Sequence, residues 1–502
     1  MFLSGLEIKV VILFLLKNGA FEVKKGYIYV KYLVMKTKLL YTLLIFCTIS
    51  GFAQRFGQQQ IISTNTEKPY LSIPFDIDND GFVDVLTASG ETYNLSWYRN
   101  LDGLGNFGNE NIIDGTSAYY LSVKFVDIDT DGDKDILYLR NNPRQAVWVE
   151  NLDGAGNFGA PQIFIETSAP IYIALINPID LDNDGDQDMI VILNNYSIST
   201  GRIVWFENLD GLGTYSEENI LFQNTNEYSK LLMQDIDNDG LLDILATESV
   251  YSQGKIFWYK NLGNATFGPM QIIYQFIWVH SGGTNIVEFQ YADINTDGKK
   301  DVIITSVDDN SFINTYWLEN MDNQGNFGDL QFIMDTDDQY LFYDLDNDTD
   351  NDMLLWNRYS NKVSWKVNED GQGTFGAPNV INAAADFVSD AKAADFNGDG
   401  WLDIASASPG NNELAWYKNN TLGISEYESG NYKIFPNPTN GVLYIESKQP
   451  ISQIFVFNIL GQMIQIKQHT NQIDLSKTEA GVYFIKIEDE NGNSQTHKIV
   501  KE

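Results

Sequence analysis

Cysteine and histidine are almost missing from the 502 residues: one Cys, Cys47, and three His, His280, His469 and His497. A single cysteine excludes intramolecular disulfides and cysteine-based zinc sites, and three scattered histidines make no His-rich metal centre. Basic residues are scarce too, 32 Lys and Arg against 68 Asp and Glu, for a formal charge of -36. Such a chain has no electrostatic footprint for nucleic acid, so none is expected as a partner. Disorder is excluded by what is present: 43% hydrophobic residues, 13% aromatic residues and 40 Gly. The acidity therefore needs a structural explanation, and any bound metal has to be a hard, oxygen-seeking cation.

The charge is unevenly spread. Residues 1–53 carry a net +5, residues 427–502 a net -1, and residues 54–426 a net -40. Within the basic start, Met35-Lys-Thr-Lys38, the apolar run 39–47 and Ile49-Ser-Gly-Phe-Ala53 have the three parts of a secretory signal. Cleavage is expected near Ala53 and Gln54. The apolar run is shorter than the ~20 residues that span a bilayer, so the processed chain is not expected to be membrane-spanning. Leu44-Ile-Phe46 ahead of Cys47 lacks the small residues of a lipoprotein signal. Residues 1–34 read as an extension from a start assigned too early, with residues 35–53 as the signal peptide.

The acidic middle is a repeat. The pattern D-x-[DN]-x-D-G-x-x-D begins at Asp76, Asp127, Asp180, Asp235, Asp293, Asp344 and Asp395, at intervals of 51, 53, 55, 58, 51 and 51 residues. A W-x-x-N pattern keeps step with it, at Trp97, Trp148, Trp205, Trp258, Trp317, Trp365 and Trp416. Between them lie short β-rich runs and Gly/Asn turns such as Asn100-Leu-Asp-Gly-Leu-Gly-Asn-Phe-Gly108, with no sustained 3.6-residue period. Each unit predicts four strands: in the first, 71–75 entering the Asp loop, 84–88 leaving it, 95–99 carrying Trp97, and one starting at Phe-Gly. Four-stranded repeats of this length predict propeller blades, so the fold expected is all-β, a seven-bladed β-propeller. Phe-Gly or its equivalent follows six of the Trp strands but not Trp416, while Phe56-Gly57 precedes the first loop. The first strand is thus expected to complete the last blade and cover its edges.

In each loop, side chains at positions 1, 3, 5 and 9, with the backbone turned at position 6, can converge on one cation, and a carbonyl at position 7 can add another oxygen. The expected metal ligands are Asp76, Asp78, Asp80 and Asp84; Asp127, Asp129, Asp131 and Asp135; Asp180, Asp182, Asp184 and Asp188; Asp235, Asp237, Asp239 and Asp243; Asp293, Asn295, Asp297 and Asp301; Asp344, Asp346, Asp348 and Asp352; and Asp395, Asn397, Asp399 and Asp403. Two carboxylates a few Å apart near a surface repel by up to ~4 kcal/mol, so such loops want a cation. Calcium fits, because it accepts six to eight oxygens in flexible geometry; up to seven ions are expected. Position 12 never carries the Glu of an EF-hand. Thr349 replaces the glycine at position 6 of the sixth loop, which is expected to be strained or empty.

These registered copies resemble the FG-GAP or VCBS-type repeats of integrin-like β-propellers. The resemblance covers 54–420 and implies a calcium-stabilised propeller, secreted or on the cell surface, without implying one activity. After a polar linker at 421–431, Lys433-Ile-Phe-Pro-Asn-Pro-Thr-Asn-Gly441, Gly481-Val-Tyr483 and Lys498-Ile-Val-Lys-Glu502 open, continue and close a small all-β module at 432–502, expected as a sandwich. It resembles the C-terminal sorting domain of the Bacteroidetes type IX secretion system. That resemblance implies export across the outer membrane by that machinery, removal of the domain, and release or surface attachment.

Catalytic signals are sparse. His280 is the only histidine of the repeats and no G-x-S-x-G elbow occurs. The leading expectation is a monomeric binding or adhesion module for a glycan or protein ligand; the alternative is a polysaccharide lyase or hydrolase using a carboxylate pair on the same scaffold. Candidate face loops are 194–201, 251–254 and 278–285, where Trp278 and His280 read either as a sugar-stacking pair or as core.

Overall fold

The computed structural model describes residues 55–116, 118–141, 143–224, 226–249, 254–276, 285–307, 313–420, 432–447, 450–458, 463–468, 470–489 and 494–501. The extension, the signal segment, the linker at 421–431, Trp278, His280 and most of the 251–254 and 278–285 loops lie outside the described residues. Among the described residues every regular element is a β-strand, and no helix is long and apolar enough to cross a membrane.

Each Asp loop joins the first two strands of a four-stranded antiparallel sheet. In the first sheet, Ile73–Phe75 enters the loop, Asp84–Ala88 leaves it, Leu95–Asn100 carries Trp97 and Phe107–Asp114 forms the outer edge. The order repeats through the other loops, giving seven four-stranded sheets numbered here by their Asp loop. Period-2 alternation explains why the strands leaving the loops are buried along nearly their whole length: successive side chains point to opposite faces, and both faces are covered. Val85 packs with Tyr98, Ala405 and Trp416, so towards sheet 7, while its neighbour Leu86 packs with Ile136 and Tyr138 of sheet 2.

Seven apolar clusters link the sheets, one between each consecutive pair and one between sheets 7 and 1. The cycle is closed, and the arrangement is a β-propeller. Phe56–Ser63 pairs antiparallel with Glu413–Asn419, with Phe56 opposite Asn419 and Gln60 opposite Trp416, so the first strand does complete the last sheet. Phe56 is buried between Trp365 and Tyr417 in the cluster of sheets 6 and 7.

One expectation changes in detail. The outer strand starts at the aromatic of Phe-Gly only at Phe56, Phe107 and Phe327. At Phe158, Tyr215, Phe267 and Phe375 the aromatic makes a single bridge to the Asn that ends the Trp strand, and the outer strand begins at Gln162, Asn219, Gln271 and Asn379. In three of these four, Pro161, Pro269 and Pro378 intervene, and proline has no N–H to donate to the ladder.

The C-terminal module is two sheets. Tyr432–Phe435, Val442–Ser447 and Gln472–Asp474 form one; Met463–Gln468, Ile451–Asn458, Gly481–Asp489 and Ser494–Lys501 form the other. Leu443, Ile445 and Ile473 of the first pack with Ile454, Val456, Ile485 and Ile487 of the second, as in a sandwich. Of its strands, those at 432–435, 463–468 and 472–474 carried no expectation from sequence.

Candidate metal centre

The Asp loops are built by their own carboxylates. At position 1, Asp76 accepts the N–H of Asp80 (3.1 Å) and of Gly81 (2.9 Å), wrapping the turn around one side chain. Position 5 accepts the N–H two residues on, as Asp80 does from Phe82 at 2.9 Å. Gly81 holds a φ of 90° that ordinary residues avoid. In the sixth loop Thr349 adopts φ 81° and still donates its N–H to Asp344 at 3.0 Å. A β-branched residue there is strained, by roughly 1–3 kcal/mol, yet the loop keeps the shape of the others.

Position 9 has a role that sequence reasoning did not see. The carboxylate of Asp84 accepts the N–H of Ile77 at 3.0 Å through one oxygen and that of Asn100 at 2.7 Å through the other. The same pair of bonds recurs at Asp135, Asp188, Asp243, Asp301, Asp352 and Asp403. Each of these aspartates is fully buried, and each ties its loop to the end of the Trp strand. That is why D-x-D and W-x-x-N run in step.

The Asn of W-x-x-N then ties one sheet to the previous one. Its amide donates to the carbonyl at position 2 of the preceding loop in five sheets: Asn100 to Phe396, Asn151 to Ile77, Asn208 to Ile128, Asn368 to Ile294 and Asn419 to Leu345.

Five loops bring three carboxylates together, with ligand atoms within 4.8 Å of one another: Asp76, Asp78 and Asp84; Asp127, Asp129 and Asp131; Asp180, Asp182 and Asp184; Asp235, Asp237 and Asp239; and Asp344, Asp346 and Asp348. Asp80 and the position-9 residues Asp135, Asp188, Asp243 and Asp352 stand outside these triplets. The fifth and seventh loops form none, since Asn295 and Asn397 replace a carboxylate at position 3 while Asp293, Asp297 and Asp301, and Asp395, Asp399 and Asp403, keep the remaining places.

The electrostatics is that of crowded anions leaving water. Burial pushes the carboxyls of Asp84, Asp135, Asp301, Asp352 and Asp403 up to about 7, and of Asp188 and Asp243 to about 6, against the pull of their two N–H donors. Asp133, Asp186 and Asp350, at position 7, rise to about 6 through burial and then through the adjacent carboxylates. These three were not among the expected ligands, although the signal was visible as a fourth acidic side chain inside the loop.

Several oxygens are left over. Among the described residues, Oδ1 of Asp78, Asp127, Asp129, Asp133, Asp186, Asp237, Asp346 and Asp350 is buried without a hydrogen-bond partner. A buried carboxylate oxygen with no donor costs several kcal/mol unless a cation meets it. All-oxygen donor sets of this charge fit calcium and offer no soft ligand.

Two family models match the chain. The FG-GAP-like repeat matches residues 76–138, 180–246, 235–304 and 344–406, and the secretion system C-terminal sorting domain matches residues 433–502. The chain belongs to the FG-GAP-like repeat proteins. The sorting domain of this FG-GAP-like protein marks it for export by the type IX system, to the cell surface or outside, and implies contact with that secretion machinery. No curated protein sequence matches it. Similar solved structures include the Dos1 propeller (10% identity, 67% of this chain and 76% of that chain, TM-score 0.40). Two others are BBS1N in complex with ARL6DN (9%, 73% and 97%, TM-score 0.44) and the α-L-arabinofuranosidase Arb93A from Fusarium graminearum with an iminosugar inhibitor (8%, 60% and 93%, TM-score 0.38).

Proposed function

We propose that this exported FG-GAP-like propeller is a calcium-stabilised binding or adhesion module whose ligand is a glycan or a protein. The calcium reading rests on the buried, unpartnered carboxylate oxygens of the loops. The binding reading rests on one surface feature, at the end of sheets 2 and 3 that carries the 194–201 turn. There the Arg144 guanidinium lies 5.9 Å from the ring of Tyr172 and 5.6 Å from that of Tyr196, beside a cavity of about 110 Å³ lined also by Arg140 and Gln145. Tyr196 is half exposed and Ile198 two-thirds exposed. An aromatic plane held by a cation on a hairpin turn suits a sugar ring or a planar side chain.

A glycan and protein array probed with the full chain tests this. Retention of one ligand class by the wild type, reduced at least tenfold by Tyr196→Ala or Arg144→Ala at unchanged melting temperature, is expected. Retention insensitive to both substitutions, or release of cleaved product from a polysaccharide, contradicts it.

A further inference from the structure

The seven loops fall into two classes, and the difference lies at two positions outside the repeated D-x-D-x-D-G. One is the residue two past the repeat Trp; the other is position 7 of the loop. In loops 1, 4 and 7 the first is basic and reaches back into the acidic cluster. Arg99 pairs with Asp78 at 2.5 Å and Asp80 at 2.9 Å, Lys260 with Asp237 and with Asp239 at 2.8 Å, and Lys418 with Asp399 at 3.0 Å. Position 7 is then apolar: Phe82, Leu241 and Trp401. Loop 5 reaches the same end from the other position, where Lys299 pairs with Asp297 and donates to the Asn320 carbonyl at 3.2 Å.

Loops 2, 3 and 6 invert the pattern. The residue past the Trp is Glu150, Glu207 or Val367, and position 7 is Asp133, Asp186 or Asp350, so five carboxylates stand in each nine-residue loop. Among the described residues no Lys or Arg forms an ion pair with any of them; Arg55, whose charge reaches Asp346 of loop 6, spends its hydrogen bond on Asn419. The position-7 side chains point to a missing partner. Asp186 and Asp350 are 9% and 8% exposed, and Oδ1 of each, like that of Asp133, meets no donor. Asp186 lies in the repulsive field of Asp182 and Asp184, and Asp350 in that of Asp344, Asp346 and Asp348. An unpaired oxygen at position 3 does not separate the classes, because Asp78 and Asp237 share it. Position 7 does.

We infer that only loops 2, 3 and 6 bind a divalent cation, and that in loops 1, 4, 5 and 7 a side-chain guanidinium or ammonium of the chain itself takes its place. A tethered positive charge a few Å from the site repels an incoming ion and already occupies and offsets carboxylates the ion needs. The inference rests on the calcium reading and sharpens it from up to seven ions to three.

Equilibrium dialysis of the full, chelator-stripped chain against calcium, with bound metal counted by elemental analysis, tests it. Three ions per chain are expected. Any other non-zero count overturns the partition and leaves the calcium reading standing, whereas zero overturns both. Asp186→Asn should lower the count to two; an unchanged count contradicts the assignment of loop 3. Leu241→Asp with Lys260→Glu converts loop 4 to the pattern of loop 3 and should raise the count to four. A count still at three overturns the rule without relying on any loss of function.

Discussion

A single carboxylate can hold a loop and still carry charge, and the position-9 aspartates do both. Asp243 sits in a loop whose acidic cluster Lys260 already enters, and where no ion is inferred, so its two backbone bonds can be probed apart from any ion. Asp243→Asn turns one acceptor into a donor against a backbone N–H and should cost about 2–3 kcal/mol in urea unfolding, with calcium stoichiometry unchanged. These groups also set a pH dependence. Their folded pKa values, about 6 to 7, lie above the ordinary 3.8, so their contribution to stability is fully present below that ordinary value and is lost as pH rises through 7. Chelator-treated protein is therefore predicted to melt at a higher temperature at pH 5 than at pH 8. Because calcium binds the deprotonated form, the stabilisation it adds should grow over the same interval. Equal melting temperatures at the two pH values without calcium would contradict the sign.

At the scale of the element, the Gly-rich hairpin after five of the Trp strands is a contact surface for the sheet before it. A Cβ on Gly105, whose φ is 82°, would stand 2.1 Å from Trp416 of sheet 7, and one on Gly156 2.6 Å from Trp97 of sheet 1. Gly263 has a similar φ of 84° with nothing within 4 Å. Gly105→Ala should therefore cost about 3 kcal/mol or more, strain plus a clash, and Gly263→Ala only about 1–2 kcal/mol of strain. Equal costs in urea unfolding would show that the hairpin does not carry the packing. The strands, their order and the closing role of Phe56 were legible because period-2 patterning and turn residues are local signals. What escaped was non-local: that the Trp-strand Asn bonds the preceding loop, that position 9 reaches the strand end, and that Arg99 or Lys260 folds back onto its own acidic loop. Such pairings join residues 16 to 296 positions apart, and no window of sequence displays them.

At the scale of the molecule, seven sheets bury their faces on one another and the chain's first described strand covers the last edge. Removing residues 55–63 would expose the backbone groups of Glu413–Asn419 as an open edge and unpack Phe56 from sheets 6 and 7. A markedly lower melting temperature, with aggregation, is expected; an unaltered melt would mean that closure is dispensable. The charge belongs to this scale as well. Much of the net -40 of residues 54–426 is loop carboxylate, held in place by backbone N–H groups and met in four loops by the chain's own cations. On the reading proposed above, calcium completes the remaining loops. The most direct test is the melting temperature of the full chain after chelation and again after calcium is restored. At a hundredfold excess over the dissociation constant each filled site adds about 2.7 kcal/mol, so a rise of many degrees is predicted, while an unchanged melting temperature would contradict it.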